Sequence, residues 1–113
     1  MSYDARLAYG DETARVPLHS EGGTYALGGS YCAELNVTYN YGPILDAHLT
    51  GGLRGLNGEF ACHTIFELGN AVIALGVVRD PDYWACTEGN VGHALNVLLG
   101  WARLHPDAVW EVT

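Results

Sequence analysis

The sequence predicts an α+β domain in which N-terminal antiparallel strands are followed by two to three helices and a closing strand. Three observations predict it: apolar and polar residues alternate through 31–39, apolar stripes run along 61–76 and 88–104, and strands and helices are segregated along the chain. Alternation with a period of two marks a half-buried strand, and a period of about 3.6 marks a helix with one apolar face. Segregation without a strand–helix–strand rhythm favours α+β over a doubly wound sheet. The 113 residues hold one hydrophobic core and little more, since domains most often run to about 100–150 residues. Residues 1–113 are therefore read as one domain.

The elements follow in order. Asp4–Tyr9 partly alternates, Gly10-Asp11-Glu12-Thr13 is polar, and Ala14–Leu18 is apolar again, which predicts two short strands joined by a turn. Pro17 marks the second as an edge or terminal piece, because proline donates no ladder hydrogen bond. Gly22-Gly23-Thr24-Tyr25-Ala26-Leu27-Gly28-Gly29 sets an apolar piece between two glycine pairs, as a tight connection requires. In the strand at 31–39, Tyr31, Ala33, Leu35, Val37 and Tyr39 take one face, and Cys32, Glu34, Asn36, Thr38 and Asn40 the other. Gly42-Pro43 opens a short helix bearing Ile44, Leu45, His48 and Leu49 on one side, proline being tolerated in a first turn. Four glycines in 50–58 predict a mobile loop and a candidate lid or contact segment. In the helix at 61–76 the stripe is Ile65, Leu68, Val72 and Leu75; in the helix at 88–104 it is Val91, Ala94, Leu95, Leu98, Trp101 and Ala102. Gly76 stops the first, His105-Pro106-Asp107 ends the second, and Val109–Val112 is the closing strand.

With 49% hydrophobic and 16% charged residues the chain falls in the range of folded, soluble proteins. Thirteen acidic residues face five basic ones, all arginine, for a net charge of −8. Binding to a nucleic-acid backbone needs clustered cations, so direct nucleic-acid contact is excluded. An acidic surface suits solubility or docking onto a basic patch of a partner, unless it reflects the composition of the source genome alone. Cys32, Cys62 and Cys86 are odd in number and lack a C-x-x-C spacing, which excludes a disulfide framework and fits a reducing cytoplasm. No apolar run reaches the roughly 18 residues of a membrane span, and the N-terminal residues lack a signal-peptide pattern.

Catalytic motifs fail on residue type or spacing. A Walker loop ends in Gly-Lys-Ser/Thr and the chain has no lysine, while the G-x-G-x-x-G of a dinucleotide fold is missing. Cys62 and His63 are adjacent, so on a helix they point about 100° apart and are read as structural. His19, His48, His63, His93 and His105 show no metal-ligand spacing, and Asp11-Glu12 and Asp80/Asp82 read as solvated turn residues. The expectation is a non-enzymatic protein with no metal and no cofactor.

One constellation stands out. Asn36, Thr38 and Asn40 offer uncharged donors and acceptors, while Tyr25, Tyr39 and Tyr41 supply flat rings with a polar tip. Such a set suits recognition of a nucleobase, ribose or sugar. Arg54 adds a bidentate clamp for phosphate or carboxylate. The alternative is the wet face of an antiparallel sheet, with no ligand at all. Tyr83-Trp84 precedes the helix cap Thr87, so Trp84 is either a packing staple or a partner-interface residue.

The run Gly22–Gly29 followed by Leu35-Asn36-Val37-Thr38-Tyr39-Asn40-Tyr41, with Asp82-Tyr83-Trp84, Thr87-Glu88-Gly89-Asn90, Ala94-Leu95 and His105-Pro106-Asp107 before Val109-Trp110, resembles a family of small proteins encoded by bacteriophages and prophages. The likeness covers most of the chain, the glycine-rich 50–58 being a departure. It implies a setting, interference with a bacterial host from within its cytoplasm, and no particular activity. Three readings follow from the residues in that setting. One is a homo-oligomeric sponge that sequesters a nucleotide-like host signal. Another is an acidic inhibitor of a host defence protein such as a nucleic-acid-binding effector. The third and weakest is a small nucleotide-processing enzyme.

Overall fold

The computed structural model describes residues 1–23, 25 and 28–113. Thr24, Ala26 and Leu27, the apolar piece of the glycine-flanked connection, lie outside the described residues. Strand β1 (Ser2–Tyr9) turns at Gly10 into the short β2 (Glu12–Thr13), and β3 (Arg15–His19) pairs with β4 (Ser30–Cys32). Strand β5 (Glu34–Thr38) leads through a 3-10 turn at Tyr39–Tyr41 into helix α1 (Gly42–His48). Further 3-10 turns at Leu53–Leu56 and Ala61–His63 precede α2 (Ile65–Leu75), and then follow α3 (Glu88–Leu104) and β6 (Val109–Val112). The fold is α+β, with strands first, three helices, and a C-terminal strand.

Strand β1 is the spine of the main sheet. It pairs antiparallel with β5 in the register Ser2↔Thr38 to Arg6↔Glu34, and with β6 from Ala5↔Val112 to Ala8↔Val109. The Leu7 N–H donates to the Ala33 carbonyl at 3.0 Å, and the Leu7 carbonyl accepts from Ala14 N–H at 2.8 Å. N–H and C=O of one strand residue point the same way, so β5 and β2 occupy the same edge of β1 in succession. Ala33 N–H in turn donates to Ala14 O at 3.0 Å, closing a three-way junction of Leu7, Ala14 and Ala33, all buried.

That junction divides the long strand expected at 31–39. Ala33 is spoken for by both β1 and Ala14, so the chain breaks there into β4 and β5. Tyr31 is half-exposed at 51% instead of joining the core face, and Tyr39 and Asn40 lie in the 3-10 turn. The polar stretch expected as a turn instead holds the short β2 at Glu12–Thr13, and the strand expected from Ala14 begins at Arg15, Ala14 being taken up by the junction.

The inner face of the sheet carries Ala5, Leu7, Leu35, Val37, Trp110 and Val112, which share one buried cluster with Leu68, Leu75, Val91, Leu95 and Leu98 of the helices. Helix α2 packs along α3, with the α2 end held by Gly76 at φ 73°. Gly92 is required by closeness: a Cβ there would collide with the Gly76 carbonyl oxygen. Helix α3 starts at Thr87, whose hydroxyl accepts from Asn90 N–H at 3.2 Å, an N-cap of the usual kind.

The segment 50–58, expected as a mobile lid, is anchored instead. Gly51 and Gly52 take φ of 77° and 67°, a turn that delivers Leu53 and Leu56 into the core at 1% exposure each. Gly58 N–H donates to Trp110 O at 2.8 Å, Trp110 N–H to Glu59 O at 2.9 Å, and Val112 N–H to Asn57 Oδ1 at 2.9 Å. The free edge of β6 is thereby covered. Among the described residues no helix is long and apolar enough to cross a membrane.

Candidate functional site

A hollow of about 520 Å³ lies on the outer face of the sheet. Alternation puts Asp4 and Arg6 of β1 and Glu34 and Asn36 of β5 on that face, and the register sets Asp4 opposite Asn36 and Arg6 opposite Glu34. Gly22, Gly23 and Tyr25 form its rim, beside the outer edge of β5. Asn36 N–H donates to Gly22 O at 2.9 Å, a contact so close that a Cβ at Gly22 would strike Asn36 O and the Leu35 side chain. With φ of 39° as well, the position is suited to glycine on two counts.

The cleft is rich in acceptors. The Tyr25 hydroxyl has three carbonyl oxygens in reach, Glu21 at 2.7 Å, Gly22 at 2.9 Å and Glu34 at 3.0 Å. Its pKa is raised, first by burial and then by the Glu34 and Glu21 carboxylates, so it stays a phenol. A phenol has one proton to give, leaving lone pairs of these carbonyls unmet by it. Asn36 Nδ2 donates to Ser2 Oγ at 2.6 Å and Asp4 Oδ1 at 2.8 Å, which orients the amide with its nitrogen toward β1. Arg6 is already engaged: Nη2 donates to Glu111 Oε2 at 2.9 Å and Nη1 to Thr13 Oγ1 at 2.7 Å. Two carboxylates against one neutralised guanidinium make the cleft electronegative.

His19 props the rim. Its Nδ1 accepts from Glu21 N–H at 3.1 Å, which places the proton on Nε2, where it is donated to Cys32 O at 2.7 Å. The ring lies edge-on to Tyr25 at 5.4 Å and tilted on Trp101 at 4.9 Å. Behind the rim, the Glu21 carboxylate meets His93 Nε2 at 3.1 Å and Arg79 at 3.9 Å.

The residues singled out from sequence fall into three places. Tyr25 and Asn36 are in the cleft. Tyr39 and Arg54 form a separate cluster, where Arg54 Nη2 donates to Tyr39 Oη at 2.9 Å and its guanidinium lies over the rings of Tyr3 and Tyr39 at 5.0 and 5.5 Å. The clamp expected of Arg54 is thus occupied by tyrosines within the chain. Thr38, Asn40 and Tyr41 are structural connectors here. Buried Thr38 caps the 3-10 turn by accepting from Asn40 N–H at 3.2 Å, so it does not share an open face with Asn36. Asn40 Nδ2 donates to Trp84 O at 3.1 Å, and the buried Tyr41 hydroxyl donates to Tyr83 O. The Trp84 backbone is pinned from both sides, by Asn40 and by Asp82 Oδ1 at 3.0 Å from its N–H, while the side chain packs edgewise on Tyr83 and the residue is 61% exposed.

Sequence reasoning missed Asp4, Arg6, Glu34 and His19. Alternation alone put Glu34 beside Asn36 on one face, but the β1–β5 register that adds Asp4 and Arg6 is a long-range fact. Cys62 and His63 sit in the 3-10 turn Ala61–His63, both exposed, with His63 edge-on to Phe60 at 5.8 Å. Among the described residues no group of three or more His, Cys, Asp or Glu side chains converges as metal ligands would. The chain matches no protein-family model, no curated protein and no solved structure.

Proposed function

We propose that the protein acts by binding, holding in the cleft over β1 and β5 a small polar molecule that brings N–H or O–H donors and no buried negative charge. The acceptor-rich wall carries this reading: the carbonyls around the Tyr25 hydroxyl, the Asn36 amide and the Asp4 and Glu34 carboxylates call for a donor-rich partner. Nucleobase edges and ribose hydroxyls meet that demand, with the Tyr25 ring as an apolar wall. For a nucleotide-like signal, the base and sugar enter and the phosphates stay in solvent, because Arg6 is neutralised by Glu111. In the setting that the resemblance to phage proteins implies, such binding sequesters a host signal without turnover.

Thermal melting against paired nucleosides and nucleotides tests it. A ligand at a hundred times its Kd stabilises the fold by about 2.7 kcal/mol. The expected result is a shift with nucleosides at least as large as with their phosphates, removed by Asn36→Ala and weakened by Glu34→Gln. A shift that requires the phosphate, or survives both substitutions, contradicts the placement.

A second reading has its own observation. Among the described residues only Glu111 and Glu21 form ion pairs, leaving most of the 13 acidic side chains unneutralised at the surface. Such a surface fits an inhibitor that docks on a basic, nucleic-acid-binding face of a host protein, with exposed Trp84 as an anchor. Its mark is an association rate that falls steeply with salt, which a neutral ligand in the cleft does not show.

A further inference from the structure

The cleft calls for donors in a particular arrangement. Among the described residues, the side-chain donors around it are spent within the chain. Both Asn36 amide protons go to Ser2 and Asp4, the Tyr25 hydroxyl proton goes to the surrounding carbonyls, and the Arg6 guanidinium is turned to Thr13, Gly10 and Glu111. With its nitrogen drawn toward β1, the Asn36 amide leaves its oxygen on the side of the rim. Glu34 is the least engaged acceptor. The Thr13 hydroxyl stands 3.5 Å from its Oε1, longer than the roughly 2.5–3.0 Å of an O–H···O bond, and Arg6, its cross-strand partner, pairs with Glu111 instead. This carboxylate borders a hollow of about 520 Å³, within the roughly 300–1,000 Å³ of small-molecule sites. The Glu34 carbonyl is one of those around the Tyr25 hydroxyl, so a flat ring stands beside it.

Donor arrangement separates the common bases. Guanine alone presents two adjacent donors on its pairing edge, N1–H and the 2-amino group, spaced to meet the two oxygens of one carboxylate. Adenine and cytosine set a ring-nitrogen acceptor next to their amino group, and uracil flanks N3–H with carbonyl oxygens. Against Glu34 each of these brings an acceptor up to a carboxylate oxygen, where it finds no proton and loses its bond to water. Guanine instead makes two charge-assisted bonds, the stronger kind, and its O6 lies beyond the pair, open to water. On the reading that the cleft holds a nucleoside, on which this assignment rests, we infer that the ligand carries guanine, with N1–H and the 2-amino group donating to the Glu34 carboxylate.

Equilibrium dialysis of the full chain against guanosine, inosine, adenosine and cytidine tests it. The ribose is common to all four, so differences read the base. Guanosine should bind about tenfold or more tighter than adenosine or cytidine, the factor that one mismatched hydrogen bond commands. Inosine, which keeps N1–H and lacks the 2-amino group, should fall between. Glu34→Gln should remove the preference by weakening guanosine, because the amide sets a donor against a donor, while adenosine, whose donor–acceptor edge matches an amide, loses less. Glu34 is exposed, and an unchanged melting temperature confirms that the variant folds. Adenosine or cytidine held as tightly as guanosine, and released by Asn36→Ala, overturns the guanine assignment and leaves the cleft as a nucleoside site. A guanosine preference that survives Glu34→Gln overturns the role of Glu34. Retention of none of the four overturns the cleft reading and the assignment with it.

Discussion

Trp110 is the largest fully buried side chain, and its indole N–H is satisfied by one atom, Thr64 Oγ1 at 2.9 Å, which itself donates to Ala61 O at 2.8 Å. Thr64→Val keeps the shape and removes both bonds, leaving a buried donor unmet at a cost of about 1–3 kcal/mol. Chemical denaturation of the two proteins side by side reads that difference as a lower midpoint at unchanged slope. Tyr41 makes a prediction in pH. Burial, then the neighbouring Tyr83 phenol, push its pKa from 10.0 up to about 12, and Tyr25 and Tyr83 are raised as well. A raised folded pKa means that the native state favours the protonated phenol, so this stabilisation is complete below pH 10.0 and is lost as pH climbs through about 12. Stability should therefore fall across that alkaline window, and Tyr41→Phe should show a shallower decline over the same range. Neither Trp110–Thr64 nor Tyr41–Tyr83 was legible in the sequence, because each pairs residues more than forty positions apart.

At the scale of elements, local chemistry was read well where one element sufficed. The α3 span, its Thr87 cap, the Pro43 opening of α1 and the Gly76 stop all follow from short-range rules. Errors arose where elements meet. Period two through 31–39 did not reveal that Ala33 is shared between strands, and four glycines suggested mobility where Gly51 and Gly52 serve to aim Leu53 and Leu56 inward. Leu56→Ala should then behave as a core truncation, costing about 2–5 kcal/mol, whereas a mobile loop would lose almost nothing. Hydrogen exchange offers a companion check, with Gly58, Trp110 and Val112 amides protected together. The close passage of Gly76 over α3 predicts that Gly92→Ala forces the two helices apart and lowers the melting temperature, although alanine is the better helix former.

The whole molecule combines an acidic surface with a cleft whose wall accepts hydrogen bonds. Only Tyr25 and Asn36 of that cleft were foreseen, since Asp4 and Arg6 are brought beside them by the long-range β1–β5 register, and Glu34 shares the face of Asn36 without a motif to single it out. The most direct measurement is an amide correlation spectrum of the labelled protein titrated with a nucleoside. Binding in the cleft should confine the shifts to Gly22, Gly23, Tyr25, Glu34, Asn36 and the facing Asp4 and Arg6. Shifts centred on Tyr39, Arg54 and Trp84, or none with any nucleoside, would contradict it.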